Sequence, residues 1–107
     1  MNTDRLNTLL SMYNEDPEDS FVRFALAKEY EKLGDINKAL QHYVELKSVD
    51  PDYVGLYYHL AKVYEEMEEY EKALQIYEEG IKVAARQKDF HAVSELNNAK
   101  VNLELEM

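Results

Sequence analysis

Apolar side chains return along this chain at spacings of three and four, the period of a helix with one buried face. In the opening segment Leu6, Leu9, Leu10 and Tyr13 form one stripe, which predicts a helix over Asp4–Tyr13. Asn14-Glu15-Asp16-Pro17 ends it, because the residue before a proline avoids helical geometry. A second helix is predicted over Ser20–Leu33, with Phe21, Phe24, Leu26, Ala27 and Tyr30 as its packing residues. Gly34 can take the left-handed conformation that closes a helix, and Asp35 can cap the next one. Asn37–Ser48 follows, carrying Ala39, Leu40, Tyr43, Leu46 and Val49 inward.

Asp50-Pro51-Asp52 breaks the chain again, and helices over Tyr53–Met67 and Glu71–Arg86 repeat the arrangement. Glu68 stands where Gly34 stood, so that turn is either strained by ~1 kcal/mol or built differently. No Asp-Pro follows Val83, and Ala84-Ala85-Arg86-Gln87 keeps helical preference, so this helix is expected to run about a turn longer. Asp89 can cap a last helix over Phe90–Leu105, with Ala92, Leu96, Ala99 and Leu103 on one stripe.

The recurrence is a literal one. Laying Ser20–Tyr53 over Val54–Gln87 needs no gap and gives twelve identities at a spacing of 34, among them Leu26/Leu60, Ala27/Ala61, Lys28/Lys62, Tyr30/Tyr64, Glu31/Glu65, Ala39/Ala73 and Tyr43/Tyr77. Repetition at this period means stacked supersecondary units, each too small to bury its own apolar face. Shifted by the same interval, Pro51 falls on Pro17, so the first helix reads as the second half of a repeat whose first half is missing.

The shared residues resemble the tetratricopeptide pattern W-x2-L-G-x2-Y, then A-x3-F, then P. The first copy offers Arg23-x2-Leu26-Ala27-x2-Tyr30, Ala39-x3-Tyr43 and Pro51. The second offers Tyr57-x2-Leu60-Ala61-x2-Tyr64 and Ala73-x3-Tyr77. The departures are Arg23 for an aromatic, Ala27 and Ala61 for Gly, and Ala85 where Pro would fall. The resemblance implies an all-α, right-handed solenoid of antiparallel helix pairs, about six helices in one domain over 1–107. Its parts would be a half repeat at 1–16, full repeats at 20–53 and 54–87, and a capping helix at 89–106. It also implies close helix crossings at Ala27, Ala39, Ala61 and Ala73, and a protein-binding groove on the concave side.

Composition narrows the function. Acidic residues outnumber basic ones 22 to 12, a net charge of −10, which disfavours nucleic acid and anionic membrane as partners. No apolar run is long enough to span a bilayer. Met1-Asn2-Thr3-Asp4-Arg5 lacks a secretory pattern. A cytoplasmic location is the expectation, although a chain whose signal had been removed would read the same way. With no cysteine there is no disulfide framework and no thiolate nucleophile or ligand. His42, His59 and His91 fall on three different helices, no phosphate-binding glycine loop occurs, and no calcium-loop spacing is found. Neither an enzyme nor a metal or cofactor is expected.

By the resemblance, the groove is lined by Phe21, Phe24, Lys28 and Glu31 in the first copy and by Gly55, Tyr58, Lys62 and Glu65 in the second. Phe24/Tyr58 and Lys28/Lys62 would lie side by side, an aromatic row beside a lysine row. In so acidic a chain, aligned lysines suit an acidic side chain or C-terminal carboxylate of a peptide, with the aromatic row packing an apolar neighbour. The competing reading is that Phe21 and Phe24 pack inward in place of the aromatic missing at Arg23, leaving the lysines solvated. One tetratricopeptide subclass grips the acidic tail of heat-shock chaperones through Lys and Asn. Mapped here, those positions hold Phe24, Lys28 and His59, of which only Lys28 could serve, so the resemblance does not extend to that clamp. The alternative function is self-association, with a homodimer formed through the terminal helices.

Overall fold

The computed structural model describes residues 3–107. Met1 and Asn2, the first two positions of the expected half repeat, lie outside the described residues. Among those described there are six helices and no strand. They group into two compact units, Met1–Asp50 and Pro51–Met107.

The first unit holds α1 (Asp4–Glu15), α2 (Ser20–Lys32) and α3 (Ile36–Val49), with α1 packed on α2 and α2 on α3. α1 runs two residues beyond the predicted end. The constraint of Pro17 falls on Asp16 alone, which leaves helical geometry at φ −145° and ψ 84°. Asp19 caps α2 by accepting from the Val22 amide at 3.2 Å, and Asp35 caps α3 through Lys38 at 3.1 Å. The second unit holds α4 (Gly55–Glu66), α5 (Tyr70–Arg86) and α6 (Phe90–Glu106), with α5 packed against both neighbours and α4 touching α6. α5 has 17 residues against 14 in α3, the expected extension past Val83. Asp89 caps α6 through the Ala92 amide at 3.1 Å.

Three helices end in the same turn. Asp35, Glu69 and Asp89 each donate their amide to a carbonyl five residues back, on Tyr30, Tyr64 and Ala84, at 2.9 Å. The residue before each donates to Glu31, Glu65 and Ala85 at 3.0, 2.9 and 3.0 Å. This double bond pattern is the Schellman motif, which needs a left-handed residue between helix and cap. Gly34 supplies it at φ 85°, Glu68 at 60° and Lys88 at 59°. The turn at Glu68 therefore keeps the geometry of the Gly34 turn and carries the strain. In the same turn Lys72 lies 3.8 Å from the Glu69 carboxylate.

All four alanines of the predicted crossings are fully buried, as are Tyr43 and Tyr77. Gly80 is a close approach of the same kind. A Cβ added there would lie 2.5 Å from Tyr57 Cβ and 3.1 Å from a Leu96 methyl. Two packing expectations fail. Phe21 is 64% exposed, because it stands in the first turn of α2 just outside the buried arc of Val22, Ala25, Leu26 and Tyr30. Val49 is 63% exposed, being the last residue of α3 before the chain turns away at Asp50. In α1 only Leu9 of the predicted stripe is buried, while Leu6, Leu10 and Tyr13 are half-buried.

Candidate functional site

On α2, Phe24, Lys28 and Glu31 follow one another at spacings of four and three and so share a helix face. Lys28 Nζ stands 5.4 Å from the centroid of the Phe24 ring. The Phe24 ring lies 6.1 Å from that of Tyr43 on α3, whose hydroxyl donates to the Glu31 carboxylate. α4 repeats the set. Lys62 Nζ is 5.6 Å from the Tyr58 ring centroid and 3.7 Å from Glu65 Oε2, and Tyr77 of α5 donates to Glu65.

In both units the tyrosine is buried and its ionisation is pushed well above the ordinary phenol value, first by burial and then by the carboxylate it bonds. The phenol therefore stays a donor and the carboxylate an acceptor. Glu31 and Glu65 are thus fixed from below while their faces remain partly open. Lysine over an aromatic ring is not peculiar to this face, since Lys38 over Tyr30 and Lys72 over Tyr64 form a second repeated pair at 5.5 and 5.8 Å. Gly55 opens α4, is exposed, and contributes only backbone. Phe21 belongs with Phe24 and Lys28, though through a cavity and not through packing.

That cavity, about 350 Å³, is lined by Arg5 of α1 and by Phe21, Phe24, Ala25, Lys28, Glu29 and Lys32 of α2. Glu29 is only 5% exposed, and its Oε1 lies 3.2 Å from Nε of Arg5, which is itself 65% exposed. Arg5, Glu29 and Lys32 were invisible to the pattern reading. The trace was in the mismatches between the copies: Glu29 where the second copy has Val63, fully buried, and Lys32 where it has Glu66. By contrast, the tyrosine–glutamate bonds had a legible signal, since both members are identical in the two copies and twelve residues apart in each. Among the described residues no group of three or more His, Asp or Glu could hold a metal ion. No helix among them is long and apolar enough to cross a membrane.

A family model for the tetratricopeptide repeat matches residues 32–95, more than half of the chain. The chain belongs to the tetratricopeptide repeat family. Among solved structures, a tetratricopeptide repeat domain protein from Salinibacter ruber is 43% identical, with a TM-score of 0.78 over 80% of this chain and 96% of that one. The TPR2B domain of yeast Sti1, solved in complex with pHsp70, shares the fold at 19% identity, with a TM-score of 0.88 over 95% and 82% of the two chains. PcrH, in complex with the chaperone-binding region of PopD, does so at 16%, with a TM-score of 0.88 over 96% and 78%. No curated protein matches in sequence.

Within this tetratricopeptide chain the departure at Arg23 has a structural answer. Its Nη2 donates to the carbonyl of Pro17 at 2.9 Å, its Nη1 lies 2.8 Å from Glu45, and its guanidinium stands 5.3 Å from the Tyr13 ring centroid. In the second unit Tyr57 stands at the matching position, and its hydroxyl donates to the carbonyl of Pro51, the counterpart of Pro17. The repeat conserves the bond to the proline carbonyl while changing the donor.

Proposed function

We propose that this tetratricopeptide protein is a non-catalytic interaction module that takes a peptide or surface of another protein on the faces of α2 and α4. The observation that carries the reading is the duplicated set on those helices: an aromatic ring, a lysine above it, and a glutamate held by a buried tyrosine. The buried tyrosine hydroxyls need an acceptor, and the glutamates that supply it leave a carboxylate beside a lysine and an aromatic ring on one partly open face, a combination suited to a polar backbone with apolar anchors. The yeast Sti1 domain with pHsp70, and PcrH with its PopD segment, support the module reading through their shared fold. We take 20–53 and 54–87 as the two full repeats and Phe21, Phe24, Lys28, Glu31, Gly55, Tyr58, Lys62 and Glu65 as the binding face. A C-terminal or side-chain carboxylate is the proposed contact of the lysines.

The test is cross-linking capture from the source cell with the parent and with the double variant Lys28→Glu/Lys62→Glu, using Lys82→Glu on α5 as control. Partners lost with the double variant and kept with the control would support the face. An identical partner set from all three would place recognition elsewhere.

A second reading, self-association, is favoured by the exposed Phe90, Val101 and Leu105 on α6. Their spacings of eleven and four put them on one helix face. Sedimentation across a concentration series separates the two, since a mass that stays at one chain removes this reading.

A further inference from the structure

We infer that the cavity between α1 and α2 receives a carboxylate on a peptide whose adjacent residue is large and apolar. This rests on the protein-binding reading above and assigns the ligand chemistry to one place within it. The first argument is charge. Arg5, Lys28 and Lys32 face a cavity whose only carboxylate, Glu29, is already paired with Arg5. In a chain of net charge −10 this is a locally cationic recess, complementary to an anion.

The second argument is shape and polarity. A volume of about 350 Å³ accommodates side chains rather than a lone ion, and the remaining lining is Phe21, Phe24 and Ala25. Phe21, 64% exposed at the rim, is a large aromatic with no role in the core. A ligand with a carboxylate beside an apolar group would use both halves of the lining.

The third argument comes from the chain's own repeat. At the counterparts of Arg5, Phe21, Glu29 and Lys32 stand Ala39, Gly55, Val63 and Glu66. α3 and α4, the counterparts of α1 and α2, form without them, so the repeat does not require these residues. Burying Glu29 carries a desolvation cost that Val63 avoids, and the pair is weak evidence for stability. What the pair does accomplish is placement. A carboxylate buried on α2 tethers the guanidinium, and with five N–H donors Arg5 is not saturated by one carboxylate.

The experiment is a proton–nitrogen NMR titration of the full chain with the capped peptide Ac-Asp-Leu-Glu-Phe-NH2 and its amide isostere Ac-Asn-Leu-Gln-Phe-NH2. A third arm, Ac-Asn-Leu-Gln-Phe with a free C-terminus, separates a terminal carboxylate from a side-chain one. Saturable shifts around Arg5, Phe21, Ala25 and Lys32 are expected with either carboxylate-bearing peptide, at an affinity about tenfold or more above that of the isostere.

Lys32→Glu, which installs the second unit's residue, should weaken that binding by about tenfold or more without unfolding the chain. Arg5→Gln combined with Glu29→Val removes both halves of the ion pair, so no charge is left buried alone, and should weaken binding similarly. Equal binding of the isostere, or no saturable shift on α1 and α2, would overturn the inference. Shifts confined to Tyr58, Lys62 and Glu65 would overturn it while leaving the protein-binding reading standing. Shifts on neither α2 nor α4 would count against both.

Discussion

Glu68 and Lys88 hold left-handed backbone that crowds a Cβ against its own carbonyl, and they do so because each is the hinge of a Schellman turn. Relieving that crowding with glycine should outweigh the extra freedom given to the unfolded chain. Glu68→Gly is expected to raise stability by ~0.5–1 kcal/mol, and Gly34→Ala to lower it by about 1 kcal/mol. Urea melts with opposite midpoint shifts would show it; two shifts of the same sign would mean the turns relax differently. A second single-residue effect belongs to His42. Its ring stacks on Tyr30 at 5.6 Å and meets Tyr13 edge-on at 5.8 Å, with Nδ1 buried and unbonded. Burial is the main cause of its lowered pKa, with Arg23 and Lys38 adding to it and Glu45 opposing. A base kept neutral in the fold resists a proton that the unfolded chain accepts. Stability is therefore full above the ordinary value of 6.5 and declines as pH falls below it, levelling once the folded pKa is passed. His42→Phe should flatten that decline between about pH 7 and pH 5, read as the difference between parent and variant melts. Parallel slopes would show that His42 titrates as if unfolded.

At the scale of elements, the repeat made α2 to α5 legible, because packing period, Asp caps and the Gly34 turn all recur or have readable substitutes. Phe21 and Val49 were misread as core because they are apolar, yet one stands in the first turn of its helix just off the buried arc and the other ends its helix. Arg5–Glu29 was illegible for a different reason. It joins residues 24 apart on two helices, and only the packing of α1 on α2 brings them within 3.2 Å. Two element-level predictions follow from the mismatched copies. Glu69 occupies the cap position that Asp35 fills in the first unit, but no side-chain bond forms there. Shortening it by one methylene, Glu69→Asp, should bring an oxygen to the Lys72 amide and add ~0.5–1 kcal/mol. A thermal melt unchanged or lowered by Glu69→Asp would mean that the shorter carboxylate does not reach. Gly80 marks the opposite case. Its missing Cβ makes room for the root of Tyr57, not for a flexible end, so Gly80→Ala should cost on the order of 1–3 kcal/mol despite better helix propensity. In the first unit the same two positions hold Arg23 and Leu46, so the glycine at this crossing belongs to the second unit alone.

For the whole molecule, charge makes folding and the proposed binding respond to salt in opposite directions. A net charge of −10 on 107 residues means that the folded state gathers like charges more closely than the unfolded one. Added salt screens that repulsion over a Debye length of ~8–10 Å near physiological strength, so the melting temperature should rise as salt increases. About 1 kcal/mol of relief corresponds to roughly 4–8 °C for a domain of this size. The proposed lysine–carboxylate contacts weaken under the same screening, so affinity for an acidic peptide should fall while stability climbs. Lys28→Glu/Lys62→Glu sharpens the contrast. Each exchange changes the charge by two, taking the chain from −10 to −14. The salt-induced gain in melting temperature should therefore grow, and the salt dependence of acidic-peptide binding should vanish with the binding itself. The fold should survive, because exposed charge pairs contribute only ~0.2–1 kcal/mol each. Tyr58→Ala supplies the neutral comparison: it should weaken binding by loss of an aromatic anchor while leaving the salt slope unchanged. Paired calorimetric melts and peptide titrations at low and high salt would read both effects. Binding that strengthens with salt alongside stability would show the contact to be apolar, and would move the lysines of α2 and α4 out of the site.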